Sequence, residues 1–87
     1  MKIILYSLND IHAKAIKIFL NKNNLSFKEI TTNNAEFEEI KKLTYIDNVS
    51  ILKIIKNHSI NLMHGFNELF LNQLIEHVKK YKPKIET

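Results

Sequence analysis

The chain has 87 residues, of which 45% are hydrophobic, enough to build one domain around one core. It contains no cysteine, which excludes disulfides, thiolate metal ligands and any thiol chemistry carried by this chain alone. The formal net charge is +4, but all 13 basic residues are lysine. Because recognition of phosphates and bases usually depends on the planar guanidinium of arginine, we do not expect a nucleic-acid partner.

The sequence also limits the cellular setting. No apolar run approaches the roughly 20 residues that span a bilayer, and the apolar start of the chain is too short for a secretory signal. We therefore expect a cytoplasmic protein with no membrane partner. The only proline, Pro83, separates a single predicted domain at residues 1–82 from a short tail at residues 83–87.

A strand, a tight turn and a helix open the chain and organise the rest of it. The continuously apolar run at residues 2–6 predicts a central strand with both faces covered. Asp10 or Asn9 is expected to cap the following helix, which continues to about Lys22. Four residues of this helix share its predicted apolar face: Ile11, Ala15, Ile18 and Phe19.

The segment that follows completes a βαβ unit and adds a second helix. Alternating apolar residues predict a second strand at residues 25–31, parallel to the first. Cap and turn residues precede a helix from about Ala35 to Leu43, which has acidic residues in its first turns and lysines in its last. Its predicted inward residues are Phe37, Ile40 and Leu43.

The second half of the chain predicts a hairpin and a last helix. Residues 49–56 are the most strand-like run, and residues 60–64 return antiparallel after a turn. Gly65 allows a sharp bend, and Asn67 is expected to cap the last helix. The apolar stripe of this helix comprises Phe70, Leu71, Leu74, Ile75 and Val78. The predicted order of elements is therefore β-α-β-α-β-β-α.

Six segments match the motifs of one known family in order and spacing: Lys2–Ser7, Ile16–Leu20, Leu25–Ile30, Val49–Leu52, Lys56–Ser59 and Gly65–Leu69. Together with the element order and the length, they resemble the glutaredoxin branch of the thioredoxin superfamily. The resemblance implies a thioredoxin-like α/β fold of the glutaredoxin type, with a mixed four-stranded sheet ordered 2-1-3-4 and flanked by helices. The predicted core comprises Ile3, Leu5, Phe19, Phe37, Leu52, Ile54, Phe70, Leu74 and Val78.

The chain departs from that family where glutaredoxins carry a Cys-x-x-Cys or Cys-x-x-Ser motif, at the start of the first helix. Counting back from the first-helix match places this motif on Asp10, Ile11, His12 and Ala13. Asp10 then stands at the attacking position and Ala13 at the resolving one. A register slip of one residue stays open, but no register supplies a sulfur. The family's cis-proline corresponds to Ser50, before which we expect a trans peptide bond.

Several side chains would line the ligand groove of such a fold. The resemblance places Tyr6 and Ser7 near the hydroxyl that activates glutathione in glutathione transferases. His12 could act as an acid or base or pair with His64, although two histidines alone do not define a metal site. Ordinary roles are also open: a capping aspartate, a helix-start histidine, a core tyrosine and a turn serine. The other candidate groove residues are Val49, Gly65, Phe66, Asn67 and Glu68.

Two functions remain open from the sequence. The first is a redox-inactive glutaredoxin-like module that binds an unidentified protein or peptide through the old groove or an exposed sheet edge. The second is a protein or enzyme that retains glutathione through Val49, Asn67 and Glu68 and uses an external thiol. Loss of both the cysteines and the cis-proline favours the first, with no catalytic residue, metal or cofactor of its own.

Overall fold

Helices and strands follow one another in the predicted order in the computed structural model, which describes residues 1–31, 34–46 and 48–81. The elements are β1 (Lys2–Ser7), α1 (Ile11–Lys22), β2 (Lys28–Thr31), α2 (Ala35–Thr44), β3 (Ile51–Lys56), β4 (Ser59–His64) and α3 (Glu68–Tyr81). The predicted stop at Pro83, the tail and residue 82 lie outside the described residues. No helix in the described ranges is long and apolar enough to cross a bilayer.

The four strands form one mixed sheet in the order β2-β1-β3-β4, as predicted. β1 pairs in parallel with β2 and antiparallel with β3, and β4 returns antiparallel beside β3. The parallel pair requires the long crossover through α1, whereas β3 and β4 need only a tight turn. In that turn Asn57 has a φ of 45°, in the left-handed region that asparagine tolerates. This topology places the carboxyl end of β1 beside the start of β3.

Alternation along the strands divides the core between the two faces of the sheet. α1 and α3 cover one face through a cluster of Ile3, Leu5, Ile16, Leu20, Leu52, Ile54, Met63, Leu71 and Leu74. α2 covers the other face through Ile4, Tyr6, Ile30, Phe37, Ile40 and Ile51. Both faces of β1 are therefore buried, as its continuous apolar run predicted. Three predicted core residues are only half-buried at the margin of the first cluster: Phe19, Phe70 and Val78.

The predicted apolar face of α1 is wrong for Ile11 and Ile18, whereas Phe19 packs against the margin of the core. Ile11 and Ile18 are 76% and 68% exposed, and α1 instead buries Ala13, Ile16 and Leu20. At about 100° per residue the two sets lie on opposite sides of the helix, so each set has helical spacing by itself. Packing against the sheet selects the side with Ala13, Ile16 and Leu20.

Smaller differences from the predictions concern α2 and the strand boundaries. Leu43, predicted inward, is 74% exposed, because α2 buries only Phe37 and Ile40. β2 begins at Lys28 rather than Leu25, since the residues before Lys28 do not pair with β1. β3 starts slightly later and β4 slightly earlier than predicted.

Candidate functional site

The carboxyl end of β1, the start of α1 and the approach to β3 meet at one end of the molecule. Of the two predicted caps, Asp10 is the one that caps α1: its Oδ1 accepts a hydrogen bond from the backbone N–H of Ala13 at 2.8 Å. Just before it, Asn9 has a φ of 58°, a left-handed conformation in which asparagine is favoured. This residue lies in the turn that leads from β1 into α1.

The Asp10 carboxylate also binds the residue that precedes β3. The Ser50 hydroxyl donates to Asp10 Oδ1 at 2.7 Å, and the Ser50 backbone N–H donates to Asp10 Oδ2 at 3.1 Å. Ser50 Oγ in turn accepts from the backbone N–H of Leu8 at 2.9 Å, and Ser50 is fully buried. We call these two residues the Asp10–Ser50 pair. They are 40 positions apart in the sequence, so the pair joins segments that only the fold brings together.

The charge state of Asp10 follows from these bonds. Burial raises the pKa of the Asp10 carboxyl, but hydrogen bonds from the Ser50 hydroxyl and from the backbone N–H groups of Ala13 and Ser50 outweigh it. Together with the nearby His12, they hold the pKa below its usual value. Asp10 is therefore an ionised carboxylate whose oxygens are occupied by donors of its own chain, with the positive end of the α1 dipole adding to its stability.

A second connection fastens Ser50 to the segment between β4 and α3. No peptide bond within the described ranges is cis, which agrees with the trans bond expected before Ser50. The Ser50 carbonyl accepts from the backbone N–H of Gly65 at 2.8 Å. Gly65 has a φ of 70°, and a Cβ there would lie 3.4 Å from Nδ1 of His12. That distance is an ordinary contact, so the left-handed conformation rather than a lack of space favours glycine.

His12 uses one ring nitrogen within the chain. Its Nδ1 accepts a hydrogen bond from the backbone N–H of Phe66 at 3.1 Å. Since an accepting nitrogen carries no proton, this bond requires an unprotonated Nδ1. His64 is exposed and lies opposite Ile51, whose side chain packs on the α2 face, so its ring is directed away from the face that α1 covers. No group of three or more metal-ligating side chains is placed to hold an ion in the described part of the chain.

Tyr6 belongs to a different cluster, on the α2 side of the sheet. Its hydroxyl donates to Glu36 Oε2 at 2.8 Å and lies 3.4 Å from Lys53 Nζ. The ring is fully buried and meets Phe37 edge-on, with centroids 5.6 Å apart. Burial, followed by the hydrogen bond to Glu36, raises the pKa of Tyr6 far above its usual value. We call Tyr6, Glu36 and Lys53 the Tyr6 cluster. The Tyr6 hydroxyl is neutral and hydrogen-bonded within this cluster, and it makes no contact with the Asp10–Ser50 pair.

The remaining predicted groove residues have mainly local contacts. Ser7 is buried, and its Oγ accepts from the backbone N–H of Asn9 at 3.1 Å. Asn67 caps α3, as predicted, by accepting from the backbone N–H of Phe70 at 3.1 Å. Glu68 is the exposed first residue of α3, and Val49 is half-buried beside Ser50. Ser7 and Asn67 therefore stabilise a turn and a helix end.

Exposed apolar side chains lie at this end of the molecule, beside exposed polar ones such as Asn67 and Glu68. Ile11, in the first turn of α1, is exposed. Phe66 precedes α3 and is 40% exposed, and Leu69, in the first turn of α3, is 75% exposed. A cavity of about 510 Å³ at the opposite end, beside Met1 and the hairpin turn, shares no residue with the site. The site thus has a closed polar centre, and both apolar and polar side chains are exposed around it.

Comparisons with protein-family models, curated proteins and solved structures found no match to the chain. The geometry itself limits the chemistry. The Ser50 hydroxyl is fully buried and committed to Asp10, so a substrate cannot reach it as a nucleophile. Sequence reasoning named both members of the pair but not the hydrogen bonds between them. The available signal was a carboxylate and a hydroxyl at two positions that the resemblance assigns to one site. Glu36 and Lys53, which complete the Tyr6 cluster, were missed because nothing local marks them.

Proposed function

We propose that this protein is a redox-inactive, glutaredoxin-like member of the thioredoxin superfamily that works as a protein- or peptide-binding module. The Asp10–Ser50 pair is the observation that carries the proposal. The two positions that correspond to the attacking cysteine and the cis-proline bind each other instead of facing a substrate. The element order and the strand order β2-β1-β3-β4 are compatible with such a fold.

The backbone N–H groups around Ser50, where the resemblance places the ligand groove, support a loss of ligand binding at that groove. The N–H groups of Leu8, Ala13, Ser50 and Gly65 all donate within the chain, to side chains or carbonyls of the site. A peptide that paired with this segment would have to break one of these bonds before forming its own. Because an exchange of one buried hydrogen bond for another yields little net free energy, strand addition at Ser50 is unfavourable.

The charge of the site bears on the alternative, a glutathione-binding protein that uses an external thiol. Glutathione carries carboxylates, and its thiolate would approach the start of α1, where the ionised Asp10 stands. Like charges repel, and the helix dipole that would attract an anion already stabilises Asp10. Binding through exposed apolar side chains such as Ile11 and Phe66 does not meet this obstacle.

Glutathione titration of the isotope-labelled protein, followed by backbone amide shifts, tests the proposal. We expect no shifts at residues 49–50 and 65–68 at millimolar glutathione, and no reduction of a glutathione mixed disulfide above background. The Asp10→Ser variant keeps a capping oxygen but removes the carboxylate, so shifts that appear only in this variant would identify the Asp10–Ser50 pair as the obstacle. Saturable shifts in the unaltered protein would instead establish the glutathione-binding alternative.

A further inference from the structure

The first helix has an apolar face that the described residues of the chain leave exposed. Ile11 and Ile18 are 76% and 68% exposed, and the half-buried Ala15 lies between them. The spacing of four and three residues places all three on one line along the helix, about 10 Å long. We call these residues the α1 stripe. The stripe is distinct from the buried side of the same helix, which fills the core.

Cationic groups border the stripe. α1 contains three lysines and no acidic residue. Lys17 forms an ion pair with Glu29 at 3.2 Å, whereas Lys14 and Lys22 are exposed and have no ion-pair partner within the described part of the chain. At helical spacing Lys14 lies beside the stripe, and Lys22 lies at its carboxyl end. The surface is therefore an apolar line next to two available positive charges.

We propose that the α1 stripe docks an acidic amphipathic helix of a partner protein. This inference rests on the proposed binding function and names the class of partner. Residues spaced by four and then three are the seam that one helix presents to another, and the small Ala15 in the middle allows close approach of two helix axes. Carboxylates beside the partner's apolar seam would reach Lys14 and Lys22.

Charge disfavours a second copy of this chain as the occupant. Two α1 stripes placed face to face would bring Lys14 and Lys22 of both copies together, and neither α1 contributes a carboxylate. Like charges directly opposed in an interface are repulsive. The apolar line is also narrow for insertion into a membrane surface, where a broad apolar face is usual. A helix with one apolar seam and flanking carboxylates matches both the width and the charge.

Two synthetic helical peptides test the proposal. Both carry leucines at the spacing of a single seam; one has glutamates at the flanking positions and the other has lysines. In titrations of the isotope-labelled full chain, we expect the glutamate peptide to shift amides of residues 11–22 and to bind at least about tenfold more tightly than the lysine peptide. The variant Lys14→Glu with Lys22→Glu should reverse this preference.

Variants at exposed positions separate docking from folding. Ile11→Ser with Ile18→Ser should abolish binding of the glutamate peptide without lowering the melting temperature, because both side chains are exposed. Ile60→Ser, on the 62% exposed Ile60 of β4, is the matched control and should bind as the unaltered protein does.

Four results would overturn the inference: no binding of the glutamate peptide, equal binding of both peptides, a stripe-dependent dimer, or stripe-dependent binding to vesicles of anionic phospholipid. If the peptide test fails and glutathione also causes no shifts, the protein is still proposed to be a binding module, but one that uses another surface. A response to glutathione contradicts the proposed function itself, whatever the peptides do.

Discussion

Two polar clusters flank β1, and they stabilise the molecule in different ways. In the Asp10–Ser50 pair, one carboxylate accepts hydrogen bonds from two backbone N–H groups and a buried hydroxyl. In the Tyr6 cluster, the contacts run from side chain to side chain, between the Tyr6 hydroxyl, Glu36 and Lys53. The first joins the turn after β1 to β3, and the second joins β1 and β3 to α2.

The opposite pKa shifts of the two clusters express this difference. The bonds at Asp10 stabilise its charged form and lower its pKa, whereas burial stabilises the neutral form of Tyr6 and raises its pKa. The Asp10 carboxylate is half-buried, but Ser50 is fully buried, so loss of the carboxylate leaves the Ser50 donors without partners. Loss of the Tyr6 hydroxyl leaves only Glu36 and Lys53, which are half-buried and can reach water. The Asp10–Ser50 pair should therefore be the more sensitive of the two.

The largest effect should come from Asp10→Ala. Removing a cap costs roughly 1 kcal/mol, and leaving the Ser50 donors unsatisfied costs roughly 1–3 kcal/mol more, so we expect a loss of about 2–4 kcal/mol in the free energy of unfolding. Denaturant unfolding measures it. Asn67→Ala removes a cap of the same kind without a distant partner and should cost only about 1 kcal/mol. Equal losses in the two variants would show that the bonds to Ser50 contribute nothing.

A smaller effect is expected for Tyr6→Phe. The change removes the hydrogen bond to Glu36 but keeps the ring against Phe37, so the free energy of unfolding should fall by about 0.5–1.5 kcal/mol. Tyr45→Phe makes the same chemical change on a side chain that is 93% exposed and should leave stability unchanged. If Tyr6→Phe lowers the free energy of unfolding more than Asp10→Ala does, the Tyr6 cluster is the more sensitive of the two, which contradicts our expectation.

The smallest effect should be a change with pH, in the acid range, in how much Asp10 stabilises the fold. Because the pKa of Asp10 is lower in the folded chain than in the unfolded one, its ionised form stabilises the fold above the unfolded pKa of about 4. That stabilisation is lost as the pH falls through the folded pKa. The difference in unfolding free energy between the unaltered protein and Asp10→Ser should therefore shrink below about pH 4.

Asn67→Ser serves as the control for this titration, since it changes a cap without changing a charge. Its difference from the unaltered protein should not depend on pH. A difference for Asp10→Ser that stays constant through the acid range would show that Asp10 has the same pKa in both states.

Local signals in the sequence determined the order of the elements and most helix ends. Asp10 and Asn67 cap their helices as predicted because capping needs only a side chain and an N–H group three residues away. The continuous apolar run of β1 likewise indicated a strand buried on both faces. The sequence also named Asp10, His12 and Ser50 as positions of one site.

Only the tertiary structure decided the rotation of α1 and the partners of the polar side chains. Two sets of residues, one with Ile11 and one with Ile16, have helical spacing, and packing against the sheet selects between them. The Asp10–Ser50 bond and the Tyr6–Glu36 bond join residues 40 and 30 positions apart. Short-range patterns carry no information about such pairs, because their distance depends on strand pairing and helix placement rather than on neighbouring residues.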